Sequence, residues 1–374
     1  MEMTFWLFVA LSLYSYVVFP LSLPVLAGIA RRPWDKRDVE PTVSMVISVY
    51  NEERIVAQKI ENALGLDYPA EKLEVLVVSD GSTDGTENIV RGFRDARVVL
   101  KHFQERSGKT ACLNRVVPEA KGDIVLFTDA NSMFPRHVLK NLVRNYADPK
   151  IGLVTGWTRY GDLDQGEDTT GIYSRFEKWT KIQESRISSC VGADGAVFSI
   201  RKELYKTLRD DDINDFIIPL HVIRQGKRVV MDPDVYCCER SADDAGKEYR
   251  RQVRITTRTL NAIRRNLEFL NPFRYGYFSF FLFSHKIMRF LVPFFLLATL
   301  GSNLLLMGTS HFYSFTLGCQ LTAFAIAVSG ILGFDVGGRV GEIAKFFLVT
   351  MLAQFTAWLR TLAGISDTTW TPQR

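Results

Sequence analysis

The sequence has few cysteines, and none of them form a C-x-x-C pair. The five cysteines are Cys112, Cys190, Cys237, Cys238 and Cys319. Closely spaced cysteine pairs are typical of zinc sites and redox motifs, and dense even-numbered sets indicate disulfide frameworks. The chain therefore gives no sign of a zinc site or a disulfide scaffold, and we expect reduced thiols that face the cytosol.

Two common phosphate-binding motifs are also missing. No G-x-G-x-x-G follows the first apolar strand, which argues against a Rossmann oxidoreductase. The stretch "RSGKTACLN" (106–114) contains a Gly-Lys pair but lacks the G-x-x-x-x-G-K-[ST] spacing of a P-loop. The net charge of +5 is modest, so the composition does not favour a nucleic-acid partner.

Charged residues are absent from a long stretch near the N-terminus. None occurs from Thr4 to Ala30, which is longer than the roughly 20 residues that cross a bilayer. Glu2 precedes this run and Arg31 and Arg32 follow it. Such flanks predict an uncleaved anchor over residues 1–32 with its C-terminal end in the cytosol. We expect a multi-pass protein of the plasma membrane, which would be the inner membrane of a bacterium.

A second region without Asp, Glu, Lys or Arg runs from 290 to 334, and "GTSHFYS" (308–314) divides it into two predicted spans. A third apolar run, between Lys345 and Arg360, is short, and it fits an interfacial or re-entrant helix as well as a span. The sequence thus predicts three clear spans and leaves open whether 343–364 crosses the membrane.

The stretch "YRRQVRITTRTLNAIRR" (249–265) spaces Arg250, Arg254 and Arg258 four residues apart, which places them on one helix face. A basic helix next to a membrane span is typical of binding to anionic lipid headgroups. The alternative is that some of these arginines hold a diphosphate.

Residues 38–245 alternate strand-like and helix-like patterns. Three apolar runs are strand-like: "TVSMVISVY" (42–50), "KLEVLVVSD" (72–80) and "DIVLFTDAN" (123–131), and helical patterns follow them. This alternation predicts a soluble α/β domain with a mostly parallel sheet covered by helices.

Each of these strands ends in polar residues, and α/β sheets bind ligands at that edge. A plainer alternative is turn chemistry, with Asp84 capping the next helix. Lys109 has a similar alternative as a solvated surface lysine. Asp215 opens the apolar run 216–223, where it is either a helix N-cap or a general base. Asp129 and Asn131, two residues apart, are oxygen ligands suited to Mg²⁺ or Mn²⁺.

The order and spacing of these motifs resemble the family-2 glycosyltransferases. The resemblance is strongest to the membrane-embedded group of cellulose, chitin, hyaluronan and poly-N-acetylglucosamine synthases, and it runs from about Val43 to Arg374. It implies an α/β GT-A fold, with a Rossmann-like, mostly parallel mixed sheet, plus an α-helical transmembrane region. The implied domains are a cytosolic glycosyltransferase domain at 38–248, interfacial helices at 249–288, C-terminal membrane helices at 289–366 and a gating-like tail at 367–374.

The resemblance also assigns roles in binding the donor. "ISVYNEE" (47–53) matches the opening nucleotide loop, which implicates Tyr50 and Glu52. "VSDGSTDGT" (78–86) is similar to the base-binding carboxylate motif, so Asp80 would contact uracil and Asp84 would support the loop. "GKTACLN" places Lys109 near the diphosphate. "TDANSMFP" (128–135) stands where the family has its metal-binding D-x-D, with Asn131 in place of the second Asp.

The remaining motifs concern the acceptor and the base. "GADGAVFSIRKELY" (192–205) resembles the lining of the sugar and acceptor pocket and includes Gly192 and Asp194. Asp215 matches the base of the T-E-D motif, with Asn214 where glutamate is common. The stretch "RQVRI" (251–255) falls at the Q-x-x-R-W position, where Arg254 matches while Arg251 and Ile255 depart. "TTWTPQR" (368–374) looks like the cytosolic gating segment, with Trp370 and Arg374 among the donor-binding residues. Three spans allow that tail to be cytosolic, whereas a fourth would not.

These matches imply a metal-dependent, inverting hexosyltransferase that uses a UDP-sugar and Mg²⁺ or Mn²⁺. The first expectation is elongation of a β-linked polysaccharide at the cytosolic face, coupled to translocation, with membrane lipids and a homo-oligomer or accessory export subunit as further partners. The alternative is transfer of one sugar to a membrane lipid. A third hypothesis is a catalytically inactive subunit that binds nucleotide.

Overall fold

The computed structural model describes residues 1–161, 168–240, 245–334 and 336–365. It divides into two compact units. Of the described residues, 23–161 with 168–240 form one, the sheet unit, and 1–22 with 245–334 and 336–365 form the other, the helical unit.

The sheet unit is built on seven strands in the order β3-β2-β1-β4-β6-β5-β7. The pairs β1–β2, β1–β4, β2–β3 and β5–β7 are parallel, and only β6 runs antiparallel to its neighbours β4 and β5. The sheet therefore confirms the prediction of a mostly parallel, mixed arrangement. The strands are β1 Val43–Val49, β2 Leu73–Asp80, β3 Val98–Phe103, β4 Ile124–Asp129, β5 Ile151–Tyr160, β6 Phe198–Arg201 and β7 Arg228–Glu239.

Helices cover this sheet and bury its β-branched residues. All seven residues of β1 are buried, as expected for a central parallel strand with both faces covered. Each fully buried Val, Ile or Leu side chain contributes roughly 1.5–3 kcal/mol relative to an exposed one. The helices of the chain up to residue 224 are α1 Glu2–Leu13, α2 Phe19–Ala30, α3 Val56–Leu64, α4 Thr86–Arg91, α5 Lys109–Val116, α6 Val138–Val143, α7 Ile172–Ile187 and α8 Asn214–Arg224.

The segment after α2 is fastened to the sheet unit through a buried carboxylate, Asp232. The Lys36 ammonium lies 2.9 Å from Asp232, and the Arg144 guanidinium lies 3.2 Å from it. The Asn145 amide also donates to it at 2.8 Å. Burial alone raises the pKa of Asp232, but the Asn145 hydrogen bond and the Lys36 charge outweigh it, so the pKa lies below its ordinary value.

We expect Asp232→Asn to destabilise the protein, because it leaves two cations without their buried counter-charge. The loss should be about 2 kcal/mol, less than for a fully buried pair, since both cations are partly exposed. A carboxyl whose folded pKa is depressed stabilises above its unfolded pKa of about 3.9, and that stabilisation is lost as the pH falls through the folded value. Thermal unfolding of both variants at neutral and acidic pH measures the difference, which should shrink with acid.

The matched control is Asp234→Asn, because Asp234 pairs with the same Arg144 at 2.6 Å but its side chain is 60% exposed. We expect that variant to unfold close to wild type. Equal destabilisation by both substitutions would show that burial of Asp232 does not matter.

The helical unit contains longer apolar helices than the sequence predicts. Its helices are α9 Ala245–Arg265, α10 Pro272–Tyr275, α11 Tyr277–Phe281, α12 Met288–Leu306, α13 His311–Ile331 and α14 Gly338–Leu362. Among the described residues, four helices have the length and composition to cross a membrane: 2–30, 277–306, 311–331 and 338–362.

Two of these spans differ from the sequence prediction. The second candidate span begins at Tyr277 rather than near 290, because His285 and Arg289 interrupt the uncharged run yet are buried in the structure, at 0% and 2% exposure. The sequence left undecided whether 343–364 crosses the membrane. This segment lies mostly in α14, whose 25 residues exceed the length of the uncharged run between Lys345 and Arg360. By length and composition this helix is a candidate span.

Candidate active site

The polar loops after β1 and β2 are joined by reciprocal hydrogen bonds. Asn51 adopts a left-handed backbone (φ 54°), and its side-chain Oδ1 accepts from the Thr83 backbone N–H at 2.7 Å. Asp84 accepts from the backbone of Glu53 at 3.1 Å and of Thr86 at 3.0 Å. Although burial raises the pKa of Asp84, these hydrogen bonds lower it overall. Asp84 thus ties the two loops together by hydrogen bonds, and its predicted role in the donor site stays a prediction.

Asp80 ends β2 and holds the start of α5. It is 7% exposed, and its two carboxylate oxygens accept from the backbone N–H groups of Ser107 (2.7 Å) and Gly108 (2.9 Å). The Cys112 thiol donates to it at 3.3 Å. The carboxylate therefore has a structural role that the sequence did not indicate, and its predicted contact with uracil stays a prediction.

Tyr50 and Glu52 follow β1 at the same edge of the sheet. The Arg106 guanidinium stacks 4.0 Å from the centre of the Tyr50 ring, next to the loop that Asp80 holds. Glu52 is 5% exposed, and its backbone N–H donates to the Thr86 hydroxyl at 2.7 Å. The structure thus brings Tyr50 and Asp80 to one place, where an aromatic face and a cation lie together.

Lys109 and Asp129 form an ion pair across this edge. Gly108, with φ 90°, turns the chain into α5, and Lys109 is the first helical residue. Its ammonium lies 2.7 Å from Asp129 Oδ1, with the two side chains 15% and 24% exposed. The basic group predicted near the diphosphate therefore lies beside the predicted metal ligand.

The residues present fit part of a divalent-cation site. Within the described ranges, no group of three His, Cys, Asp or Glu side chains is placed to bind a metal. Asp129 and the partly exposed Asn131 still offer a carboxylate and an amide oxygen, and Asp129 Oδ2 makes no hydrogen bond to the described residues. Mg²⁺ typically uses one or two carboxylates together with substrate phosphates, so this donor set suits a cation that arrives with a diphosphate.

The other side of α5 holds the loop that leads to Asp215. The Thr110 hydroxyl donates to the Asp212 carbonyl at 3.0 Å. The Asn114 amide donates to the Leu208 carbonyl at 2.8 Å, and its oxygen accepts from the Leu208 N–H at 2.9 Å. One short helix thus fixes Lys109 beside Asp129 and also positions the segment before α8.

Asp215 lies in the first turn of α8 and is partly buried. Its backbone carbonyl accepts from Ala193 N–H at 2.7 Å. A Cβ added to Gly195 would lie 2.8 Å from Asp215 Oδ2, so the carboxylate occupies space that only glycine leaves open. Asn214 is 7% exposed, and its Nδ2 has no hydrogen-bond partner among the described residues.

The predicted sugar-pocket residues lie in the loop that contacts Asp215. Asp194 accepts from the Thr158 backbone at 2.8 Å and from the Ala196 backbone at 3.1 Å, which uses its carboxylate to shape the loop. Gly192 has φ 72°, a conformation that other residues rarely adopt. The loop between α7 and β6 therefore contacts Asp215, and its predicted contact with a sugar stays a prediction.

Other predicted residues lie elsewhere. Arg251, Arg254 and Ile255 lie on α9 of the helical unit, where Arg251 is exposed and the other two are partly buried. Trp370 and Arg374 lie outside the described residues. The roles assigned to these five positions stay predictions.

Sequence reasoning missed two residues of this edge, Gly195 and Lys59. Gly195 was visible only as part of "GADGA". Lys59 is fully buried beneath the Asp129 loop, and burial lowers its pKa to about 7 against the opposing charges of Cys237, Asp129 and Glu239. A lysine amid the apolar positions of α3 was its only signal.

The comparisons with known proteins agree with this geometry. Residues 44–209 match the family model for glycosyl transferase family 2. In structure, the chain is similar to the mannosyltransferase PcManGT from Pyrobaculum calidifontis, solved with GDP-Man and Mn²⁺, with a TM-score of 0.73 and 23% identity over 96% of this chain and 99% of that one. At that identity the likeness shows the fold, which confirms the predicted GT-A class.

Curated relatives match shorter regions. The β-monoglucosyldiacylglycerol synthase of Synechocystis sp. is 33% identical over 30% of this chain, and the poly-β-1,6-N-acetyl-D-glucosamine synthase of Staphylococcus aureus is 23% identical over 64% of it. The matches span only 24% and 59% of those relatives' own lengths. Residues 44–209 therefore form a domain that matches glycosyltransferase family 2, and the chain has the fold of a solved glycosyltransferase.

Proposed function

We propose that the chain is an inverting hexosyltransferase that uses a UDP-sugar and elongates a β-linked polysaccharide at the cytosolic face of a membrane. The observation that carries the chemical part is the arrangement around α5, which joins the Lys109–Asp129 pair to the loop before Asp215. Helix α5 thereby holds both the groups proposed to bind the leaving group and the segment that leads to the proposed general base. Group transfer requires such fixed positions for the two reactants.

Asp215 is the proposed general base. In the reaction, the acceptor hydroxyl oxygen forms a bond to the anomeric carbon as the bond from that carbon to the diphosphate breaks. The proton of the hydroxyl passes to Asp215, and the bonding electrons leave with the diphosphate. One displacement inverts the anomeric centre, so an α-linked donor gives a β-linked product, without a covalent intermediate.

Lys109 is proposed to stabilise the charge that develops on the leaving diphosphate. In the structure it pairs with Asp129, and it would exchange this partner for a phosphate oxygen when donor binds. Asp129 and Asn131 would hold Mg²⁺ or Mn²⁺, which would supply Lewis-acid neutralisation of the diphosphate. The structural relative crystallised with Mn²⁺ and a nucleotide sugar supports this assignment.

We propose that the nucleobase of the donor binds in the Tyr50–Asp80 region. The aromatic ring of Tyr50 and the adjacent Arg106 suit stacking on a nucleobase. Because the structural relative was solved with GDP-Man, GDP-mannose belongs in any donor panel beside the UDP-sugars.

The extent of α14 favours a second candidate acceptor, a membrane lipid. A gating tail at 367–374 would have to be cytosolic, which three spans allow and a fourth does not. The 25-residue α14 has the length and composition of a fourth span. The similarity to a glucosyldiacylglycerol synthase points to the same class of acceptor. The proposed location in either case is a plasma membrane, crossed by the candidate spans.

The test is nucleoside diphosphate release by the detergent-purified chain across UDP-sugars and GDP-mannose, with Mg²⁺ or Mn²⁺ and with native lipid, followed by sizing of labelled product. We expect release with one UDP-sugar. A ladder of products would support the polysaccharide synthase, and a single lipid-mobile product would support the second candidate. Release with GDP-mannose alone would contradict the UDP-sugar proposal, and the absence of release would favour the inactive-subunit hypothesis.

A further inference from the structure

Lys59 is the most deeply buried charged side chain near the proposed cation site. It lies on α3 between the core residues Val56, Ile60 and Ala63, and its exposure is 0%. Burying an ammonium costs several kcal/mol unless polar groups receive its hydrogen bonds. The position of those partners therefore shows which part of the protein this lysine serves.

Within the described part of the chain, the Lys59 ammonium contacts groups of the turn that carries Asp129 and Asn131. It donates to the Thr128 hydroxyl at 3.2 Å and, by a short hydrogen bond, to the Ser132 carbonyl. It also lies 3.8 Å from the centre of the Phe134 ring. The lysine thus contacts residues on both sides of the Asp-Ala-Asn sequence.

The same face of α3 makes a second attachment to this turn. The Asn62 amide donates to the Phe134 carbonyl at 2.8 Å, and its oxygen accepts from the Phe134 N–H at 2.8 Å. The Ser132 hydroxyl also donates to the Glu239 carboxylate at 2.5 Å. The turn is therefore held at defined points, and Lys59 is the partner that reaches both of its ends.

From these contacts we propose that Lys59 is a positioning residue for the cation site, because it fixes the turn so that Asp129 and Asn131 present their oxygens together. This inference rests on the proposed role of those two residues. Residues that orient metal ligands typically contribute 10–100-fold to metal affinity. In its protonated form the lysine also adds a positive charge near the turn, which by itself opposes cation binding, so its removal has two effects of opposite sign.

The test is titration of Mn²⁺ in the presence of UDP, followed by electron paramagnetic resonance of the free ion, which does not require turnover. In Lys59→Met, which keeps the length but neither the charge nor the donors, we expect the dissociation constant for Mn²⁺ to rise by about tenfold or more. Lys181→Met is the matched control, since Lys181 is also buried and donates to the Ala193 carbonyl at 3.3 Å, away from the turn. We expect it to bind Mn²⁺ as wild type does.

Asp129→Ala, measured in parallel, separates failure of the inference from failure of the proposed site. Loss of binding in Asp129→Ala with unchanged or tighter binding in Lys59→Met would overturn the positioning role alone. Wild-type binding in Asp129→Ala would overturn the cation site and the inference with it. If Lys59→Met does not fold, Thr128→Val takes its place. It removes the hydroxyl that accepts a hydrogen bond from Lys59 and leaves the lysine itself in the chain. We then expect a smaller rise in the dissociation constant, and no rise would count against the inference.

Discussion

Replacement of Asp215 by Asn is expected to lower kcat by roughly 10²–10⁴-fold and to leave the KM for the sugar donor nearly unchanged. The amide has almost the shape of the carboxylate, so the first turn of α8 and the contact with Gly195 should persist. What is lost is the capacity to accept the proton of the acceptor hydroxyl. That loss acts in the transition state, and it therefore falls on kcat rather than on binding of the donor.

The matched control is Asp210→Asn, an exposed aspartate five positions earlier in the chain that precedes the same helix. Its activity should remain at the wild-type level. Steady-state kinetics with the active donor, together with a binding measurement for UDP, give both numbers. An Asp215→Asn enzyme with wild-type kcat would remove this residue from the reaction, and a large rise in donor KM alone would reassign it to binding.

Gly195→Ala is expected to reduce kcat by roughly 10–100-fold with little change in stability. The new Cβ would lie 2.8 Å from Asp215 Oδ2, closer than van der Waals contact permits, so the carboxylate has to move. Because the atom in conflict is the end of a side chain, rotation of Asp215 relieves the overlap at small cost to the fold. A displacement of about 1 Å at a catalytic group is sufficient for a loss of this size.

Gly171→Ala provides the control for this substitution. Gly171 precedes α7 in the same unit, and an added Cβ there would meet no atom within 4 Å. We expect its thermal midpoint and its kcat to match those of the wild type. Wild-type turnover in Gly195→Ala would mean that the position of the Asp215 carboxylate does not limit the reaction.

The elements that sequence predicted well are those with an uninterrupted apolar signal. The strands β1, β2 and β4 combine β-branched runs with polar residues at their ends, and those ends place Tyr50, Asp80 and Asp129 at one edge of the sheet. Parallel pairing of neighbouring strands is sufficient to bring such residues together. That part of the candidate site therefore followed from local pattern alone.

The contacts made by the site residues could not be predicted in this way. Asp80 and Asp194 were assigned to ligands, yet both carboxylates accept backbone hydrogen bonds from segments distant in the chain. The four-residue antiparallel strand β6 has too short a pattern to identify. Lys59 interrupts an amphipathic helix, and only the fold shows that its ammonium reaches the Asp129 turn. Each of these features depends on contacts between residues distant in the chain, which hydrophobic periodicity and composition do not predict.

The helical unit shows a related limitation. Sequence placed the start of the second span near 290, since Arg289 immediately precedes the uncharged run. In the structure His285 and Arg289 are buried within the helical unit, and the candidate span begins at Tyr277. A charge inside an apolar helix is tolerated where it faces the interior of a bundle, and composition alone cannot identify that orientation.

The most direct test of single displacement is an NMR time course of the anomeric signals while the purified wild-type chain consumes its α-linked UDP-sugar. The account predicts that the donor signal falls as a β-anomeric product signal appears, from the first turnover onward and without a lag. Appearance of an α-linked product would contradict the one-step attack assisted by Asp215, and it would require a different assignment of the residues at the carboxyl edge of the sheet.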